Sequence, residues 1–369
     1  MSNTPLHGLK VVELARILAG PWAGQVLADL GAEVIKVESP GGDDTRGWGP
    51  PFVQIGDGSR DAAYFHAANR GKSSIVADFR NPDDLTRTVE LIREADVVIE
   101  NFKLGGLAQF GLDYASLCAI NPRLIYCSIT GFGHTGPYAA RAGYDFIVQG
   151  MSGIMDLTGA PDGPPMKIGV AYADILTGLY AVIAVQAALL QREQTGRGQH
   201  IDLALFDVMV GTLANQAMNA LVSGVSPTRM GNAHPNIVPY EAFPVADGWL
   251  IIACGNDTQF SRLAALLGLP ERAEWRTNAG RVADRAAVSP AVAEATRAWE
   301  RDALLAALQL EGIPAGPINT VAQALADPQI AARGMVLDLD EGLRGIASPM
   351  RFSDAEMAGG QRSPGLGEG

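Results

Sequence analysis

The chain is 369 residues long, 47% hydrophobic and 18% charged, with a formal net charge of -12. That length and composition describe a globular protein with room for two cores, and they exclude wholesale disorder. The acidic balance excludes a nucleic-acid partner held through phosphate contacts, though not a local basic pocket for a small phosphorylated ligand.

The first predicted strand covers residues 10–14, Lys-Val-Val-Glu-Leu. A helix is predicted from Pro21 to Leu30, with proline at a favourable first-turn position and Gly31 as its stop. Glu33–Val37 makes a second strand and closes a βαβ unit whose strands run parallel. The Gly/Pro-rich stretch from Glu38 to Phe52 is long enough to cover a site. Further strands are predicted at 74–77, 96–100 and 124–129, with helices between them opening at Asn81-Pro82 and spanning 113–120. This alternation predicts an α/β fold: an open, mostly parallel, Rossmann-like sheet wrapped on both faces.

Ligands of such sheets lie beyond the carboxyl ends of the strands. That rule gathers Arg16-Ile17-Leu18-Ala19, Asp78-Phe79-Arg80, Asn101-Phe102-Lys103 and Thr130 to Gly133. Arg80 and Lys103 are the cations placed nearest to phosphates, with an ordinary solvated charge as the alternative for each. Asn101-Phe102 offers an amide and a ring to a flat heterocycle. Gly131, Gly133 and Gly136 spell G-x-G-x-x-G, but Pro137 and more loop follow where a helix should open. They read as a tight turn and not as a dinucleotide fingerprint. Tyr144-Asp145 stands at a loop-to-helix junction, either as a hydrogen-bonding pair or as a cap.

Between Ala160 and Gln194 a Gly/Pro run gives way to a long apolar helix. Ile175, Leu179, Ile183 and Leu190 recur at helical spacing with alanine filling most other positions, so burial nearly all round is expected. Asp174 at the mouth of this helix suits an N-cap. The same dipole end keeps a carboxylate ionised, as a nucleophile must be. Both roles stay open on local grounds. A strand at 200–207 and a helix over 207–222 follow.

The texture changes near Ser223. A linker leads to a hairpin turning near Asp247-Gly248, then to helices at 257–267 and 290–310, and a second linker covers 311–319. Residues 226–318 are read as a smaller inserted α+β domain, and 1–225 with 319–369 as the large domain. The last nine residues, QRSPGLGEG, are expected to be poorly ordered.

The N-terminus lacks the cationic and apolar regions of a signal peptide. No apolar run reaches the roughly 20 residues of a spanning helix, since 168–191 carries Asp174, Thr177, Gly178 and Gln186. Cys118, Cys127 and Cys254 form neither a disulfide framework nor a zinc pattern, and the histidines are scattered, so no metal is expected. The reading is of a cytoplasmic protein outside the membrane.

Several blocks now resemble one known family: GLKVVELARILAGPWAGQVLADLGAEVIKVESPGGDDTR, ENFKLGGLAQFGLD, NPRLIYCSITGFG, GYDFIVQGMSGIM, DGPPMKIGVAYADILTGLYAVIAVQAALLQREQTGRGQHIDLALFD and IASPMRFS. In this order they are similar to the class III coenzyme A transferases, the group of formyl-CoA transferase and carnitine CoA-transferase relatives. The resemblance covers almost the whole chain.

It implies that Asp174 is the catalytic carboxylate, passing through an acyl mixed anhydride and an aspartyl-CoA thioester. It implies coenzyme A as substrate with no tightly bound cofactor, held by Ile17, Leu18, Ala19, Ala77, Asp78, Phe79, Arg80, Asn101, Phe102, Lys103, Ala142, Gly143, Tyr144 and Asp145. It also implies an interlocked homodimer.

Two departures bear on CoA binding and specificity. Ser39 and Gln109 stand where formyl-CoA transferases carry basic groups, which turns attention to Arg46, Arg70, Lys72 and Arg141 for phosphate contacts. The glycine-rich flap of that branch has no counterpart between Pro239 and Gly255. The branch using succinyl-CoA and small dicarboxylates is therefore the better match, with Arg229, His234 and Asn236 available for a distal carboxylate or serving as plain linker. Relatives usually continue past Gly369 into a terminal helix. The alternatives are a 2-methylacyl-CoA racemase, disfavoured because Tyr144 replaces the expected histidine and is a poor proton shuttle at neutral pH, and a non-enzymatic acyl-CoA-binding protein.

Overall fold

The computed structural model describes residues 3–54, 58 and 60–369. Val- and Ile-rich runs form β1 (Lys10–Glu13), β2 (Glu33–Glu38), β3 (Ser73–Val76), β4 (Val97–Glu100), β5 (Ile125–Thr130) and β6 (His200–Ala204). They make one sheet in the order β3-β2-β1-β4-β5-β6, and every pair is parallel. β-Branched residues suit such strands because both pleat faces are buried.

The helices follow as α1 (Ala19–Asp29), α2 (Pro82–Arg93), α3 (Tyr114–Ile120), α4 (Asp145–Met151), α5 (Tyr172–Thr195), α6 (Leu205–Gly211) and α7 (Ala214–Ser223). On one face Ala23 and Leu27 of α1 and Ala181 and Val185 of α5 pack with Val11, Ile99 and Cys127. On the other, Ile92 of α2 and Leu117 of α3 pack with Val12, Val98 and Tyr126. Strand order reverses between β1 and β4, so the loops beyond their carboxyl ends flank the crevice where ligands of this topology bind.

Several expectations need correction. The helix expected over 207–222 is two, α6 and α7, broken where the Thr212 hydroxyl returns to the Val208 carbonyl at 2.9 Å and Ala214 takes φ +47°. The strand before it stops at Ala204. Second, α5 is not buried all round. Its small residues Ala173, Thr177, Gly178, Ala181 and Ala188 pack inward, while Ile183 is 59% and Leu190 71% exposed. Third, by length and composition α5 is apolar enough to cross a membrane, but it carries Asp174 and its small-residue face packs into this core. Fourth, the last residues are pinned. Gly71 N–H bonds the Arg362 carbonyl, Ser74 N–H bonds that of Glu368 at 2.8 Å, and Ser363 to Gly365 are buried. They cover β3, which is otherwise an open sheet edge.

The chain divides into two compact units: residues 1–154, 167–225 and 328–369, and residues 155–166 and 226–327. In the second, β7 (Tyr240–Val245), β8 (Gly248–Ala253) and β9 (Ala315–Pro317) pair antiparallel. Its helices α8 (Asp257–Leu267), α9 (Arg285–Thr296) and α10 (Arg301–Leu310) pack around Phe243, Leu250, Trp275 and Val292. The single helix expected over 290–310 breaks at Trp299, whose carbonyl accepts the Ala246 N–H at 2.9 Å. This unit extends beyond the expected 226–318. Residues 155–166 join it through the Gly231 N–H to the Gly159 carbonyl at 3.1 Å and through Arg229 to Asp156 at 2.8 Å. A short helix capped by Thr320 and Gln323 lies in its last residues. In the first unit, β10 (Val336–Asp338) and β11 (Arg344–Ile346) form a hairpin.

Candidate functional site

Asp174 occupies the third position of α5, whose N-cap is Ala171. The capping role that local reading leaves open for Asp174 is performed by Asp145. The Asp145 carboxylate accepts the Ala173 N–H at 2.8 Å, and its second oxygen accepts from Gln149 Nε2 at 2.8 Å. Gln149, fully buried, accepts the Ile168 N–H at 2.9 Å and so ties the approach to α5 onto α4. Gly131 and Gly143 make this possible. A side chain on either would strike the other's backbone, so the loop before Asp145 lies directly on the turn beyond β5.

The Asp174 carboxyl has no hydrogen-bond partner among the described residues. Burial raises its pKa to about 7, with the negative charge of Asp145 adding to the shift. The expectation that the helix end keeps it fully ionised is therefore corrected. Desolvation outweighs the dipole, and the anion that forms near neutrality is poorly solvated. Tyr64 feels the same acids: burial raises its pKa first, then the charges of Asp174, Asp145 and Asp43. Its ring packs edge-on against Trp48 at 5.4 Å.

One turn along α5, Gly178 lets α1 approach. A Cβ there would sit 2.7 Å from the Ala19 carbonyl and 3.1 Å from Trp22. The Arg16–Ala19 loop is thus brought to the face of α5 that carries Asp174. Ile17 adopts φ +71°, with its N–H directed to the Asp43 carboxylate at 3.2 Å. Asn101 accepts the Arg16 N–H at 2.9 Å and donates to the Arg16 carbonyl at 2.7 Å. Its amide is committed to the loop and not to a heterocycle, a second correction.

The remaining predicted residues collect at the same sheet end. Ala77 is buried, with its N–H on the Glu38 carbonyl at 2.8 Å. Phe79 lies near Phe102, with ring centroids 6.5 Å apart. Arg80 folds onto Asp78 through two bonds of 3.0 Å, so its charge is engaged locally at an exposed position. Phe102 and Lys103 also line a cavity of ≈ 330 Å³ with Glu100, Tyr114 and His200. Ala142 and Tyr144 are exposed beside Asp145.

The alternative phosphate cations are corrected more sharply. Arg46 is paired with Glu38 at 2.7 Å, Arg70 with Asp29 at 2.6 Å and Lys72 with Glu13 at 2.7 Å, all buried. Arg141 lies over the Tyr138 ring at 4.6 Å. In the second unit Arg229 pairs with Asp156 at 2.8 Å, and His234 Nδ1 accepts the Asn236 N–H at 3.1 Å. Among the described residues, no group of three or more His, Cys, Asp or Glu is placed to hold a metal ion. Tyr64, Asp43 and Lys36 were not found from sequence. The Gly/Pro-rich stretch containing Asp43 was the only signal, and it marked a covering loop without singling out a side chain.

The model of CoA-transferase family III matches residues 6–369. The succinate–glutarate CoA-transferase of Agrobacterium fabrum is 57% identical over 99% of this chain and 93% of its own length. The human succinyl-CoA:glutarate CoA-transferase is 40% identical over 99% of this chain and 84% of its own. The crystal structure of a CAIB/BAIF family protein from Brucella suis superposes with a TM-score of 0.91 at 65% identity, over 100% of this chain and 97% of that one.

Proposed function

This chain belongs to CoA-transferase family III, and from that premise we propose that it moves coenzyme A from succinyl-CoA to a small dicarboxylic acid, glutarate first among them, through Asp174. The observation that carries the reading is the Asp174 carboxyl itself. It stands in the first turn of a core helix, has no hydrogen-bond partner among the described residues and titrates near neutrality, beside the strand-end loops of the sheet. The choice of acids is supported by relatives of 57%, 41% and 40% identity that act on succinate or succinyl-CoA and glutarate.

The chemistry is a double exchange at carbonyl carbon. The Asp174 carboxylate attacks the thioester carbonyl and expels the CoA thiolate, leaving a mixed anhydride between Asp174 and the donor acid. The thiolate attacks the Asp174 carbonyl, the donor acid leaves as a carboxylate, and an aspartyl-CoA thioester remains. The incoming carboxylate attacks that carbonyl, releasing thiolate and forming a second anhydride. Thiolate attack on the acceptor's carbonyl then gives the new acyl-CoA and restores Asp174. No net proton or electron is consumed. A poorly solvated carboxylate is the stronger nucleophile, and a dry site protects the anhydrides.

Ile17 to Ala19, Ala77 to Arg80, Asn101 to Lys103 and Ala142 to Asp145 line the proposed path of the CoA. Lys103 supplies the charge for its phosphates, since Arg80 is engaged by Asp78. The exposed apolar side chains of α5 and α7, Ile183, Leu190, Leu221 and Val222 among them, favour a second copy of the chain covering them, as an interlocked dimer requires. We place the enzyme in the cytoplasm. Assay of a panel of CoA donors against dicarboxylate acceptors tests the substrate assignment. Succinyl-CoA with glutarate should give the highest kcat/KM, and a preference for monocarboxylates would refute it.

A further inference from the structure

We propose that Asp43, backed by Lys36, is a positioning residue that sets the backbone of the Arg16–Ala19 loop against Asp174; the inference rests on the transferase reading above. Ile17 is β-branched, and φ +71° is a conformation such a residue rarely adopts without support. The support is visible. Its N–H faces both Asp43 oxygens, at 3.2 and 3.4 Å. Asn101 holds both the N–H and the carbonyl of Arg16, so the peptide linking Arg16 to Ile17 is held at its carbonyl by Asn101 and at its N–H by Asp43.

Asp43 cannot turn away. Thr45 donates to its Oδ1 from both N–H and hydroxyl, at 3.0 and 2.7 Å, and the Asp43 N–H bonds Glu38 Oε2 at 2.8 Å. Lys36 Nζ lies 3.0 Å from Oδ2. Lys36 is itself fully buried, and it also donates to Glu13 Oε1 and the Ala15 carbonyl, both at 2.9 Å. A buried carboxylate without that cation would be strongly disfavoured. The chain of contacts therefore runs from Glu13 in β1 through Lys36 in β2 to Asp43 and Ile17. Two residues on, the Ala19 carbonyl faces Gly178, one turn from Asp174. Fixing Ile17 fixes the distance between the loop and the reacting carboxyl.

Asp43→Asn keeps the shape while removing the charge that Lys36 faces. Ile17→Gly lets the loop adopt its turn without being held. Hydrogen exchange of the peptide covering residues 14–22 reads the clamp directly, and Asp43→Asn should accelerate it by about tenfold. Transfer from succinyl-CoA to glutarate reads its use: kcat should fall about thirtyfold while KM for succinyl-CoA stays within about threefold. Adding Ile17→Gly should restore kcat by about fivefold, a rescue that a merely structural role would not give. If Asp43→Asn does not fold, Thr45→Val removes one donor to Asp43 and should raise the same exchange about threefold.

Unchanged exchange in these variants overturns the clamp, whatever the activity. Faster exchange with unaltered kcat overturns the positioning role, and loss of kcat without rescue overturns the assignment to Ile17. A wild-type protein that transfers no CoA fails the transferase reading instead, and the exchange measurement then judges the clamp alone.

Discussion

The Asp145 carboxylate accepts the Ala173 N–H at 2.8 Å, immediately before Asp174 and 28 residues along the chain from its own position. The contact caps the helix that carries Asp174 and sets a second negative charge near its carboxyl. One residue thus holds Asp174 in place and makes it harder to ionise. A carboxylate that is available near neutrality yet poorly solvated is the result.

Asp145→Asn should separate the two effects. Asparagine still offers Ala173 an acceptor but carries no charge, so Asp174 titrates lower. The acid limb of the pH profile of kcat/KM, expected near the Asp174 pKa of about 7, moves to lower pH. Asp145→Ala loses the cap as well, at a cost of about 1 kcal/mol in stability. An acid limb that stays in place in Asp145→Asn would contradict the charge coupling.

Asp174→Asn should trade activity for stability. With a folded pKa of about 7 against an ordinary 3.8, the native state holds this proton more tightly than the unfolded chain. The stabilisation is complete below about pH 4 and is lost as pH rises through about 7. Asparagine cannot ionise, so the variant is the more stable protein at pH 8, by about 1–2 kcal/mol after discounting for solvent screening. Urea unfolding at pH 4 and pH 8 measures the difference; equal gaps at both values would show that the carboxyl is not buried.

Gly131→Ala and Gly143→Ala should each displace the Asp145 loop, because the two backbones touch. Each is expected to lose about 2–3 kcal/mol, and the pair together less than the sum, since the first displacement makes room for the second. Thermal melts of the two single variants and the double variant form the cycle, and strict additivity would argue that the backbones do not meet.

Ile183→Glu with Leu190→Glu should disrupt self-association without touching the inward face of α5. Sedimentation of the wild type as a dimer and of the variant as a monomer is the expected outcome. A wild-type monomer would remove the second copy from the account.

The sequence shows much of the frame because its signals are local. Val and Ile runs mark the six parallel strands, Asn81-Pro82 and Asp113 mark helix starts, and the strand-end rule gathers the loops beside Asp174. What escaped depends on residues far apart in the chain. A cap is read from the residue next to a helix, which leaves capping open for Asp174 on local grounds, whereas Asp145 supplies it from 28 positions away. Asn101 reads as available to a ligand because its partner, the backbone of Arg16, is 85 residues distant. The buried pairs of Arg46, Arg70 and Lys72 likewise join segments that spacing does not connect, and composition counts such cations as available. The inward face of α5 was misjudged because periodicity finds an apolar stripe without saying what covers it. Here alanine and glycine face the core and the larger side chains face outward.

Trapping the covalent intermediate tests the central claim most directly. The protein is incubated with succinyl-CoA, treated with hydroxylamine or borohydride, digested and mapped by mass. The account predicts modification at Asp174 in the wild type and none in Asp174→Ala, which should still bind CoA. Modification at another residue, or turnover retained in Asp174→Ala, would contradict it.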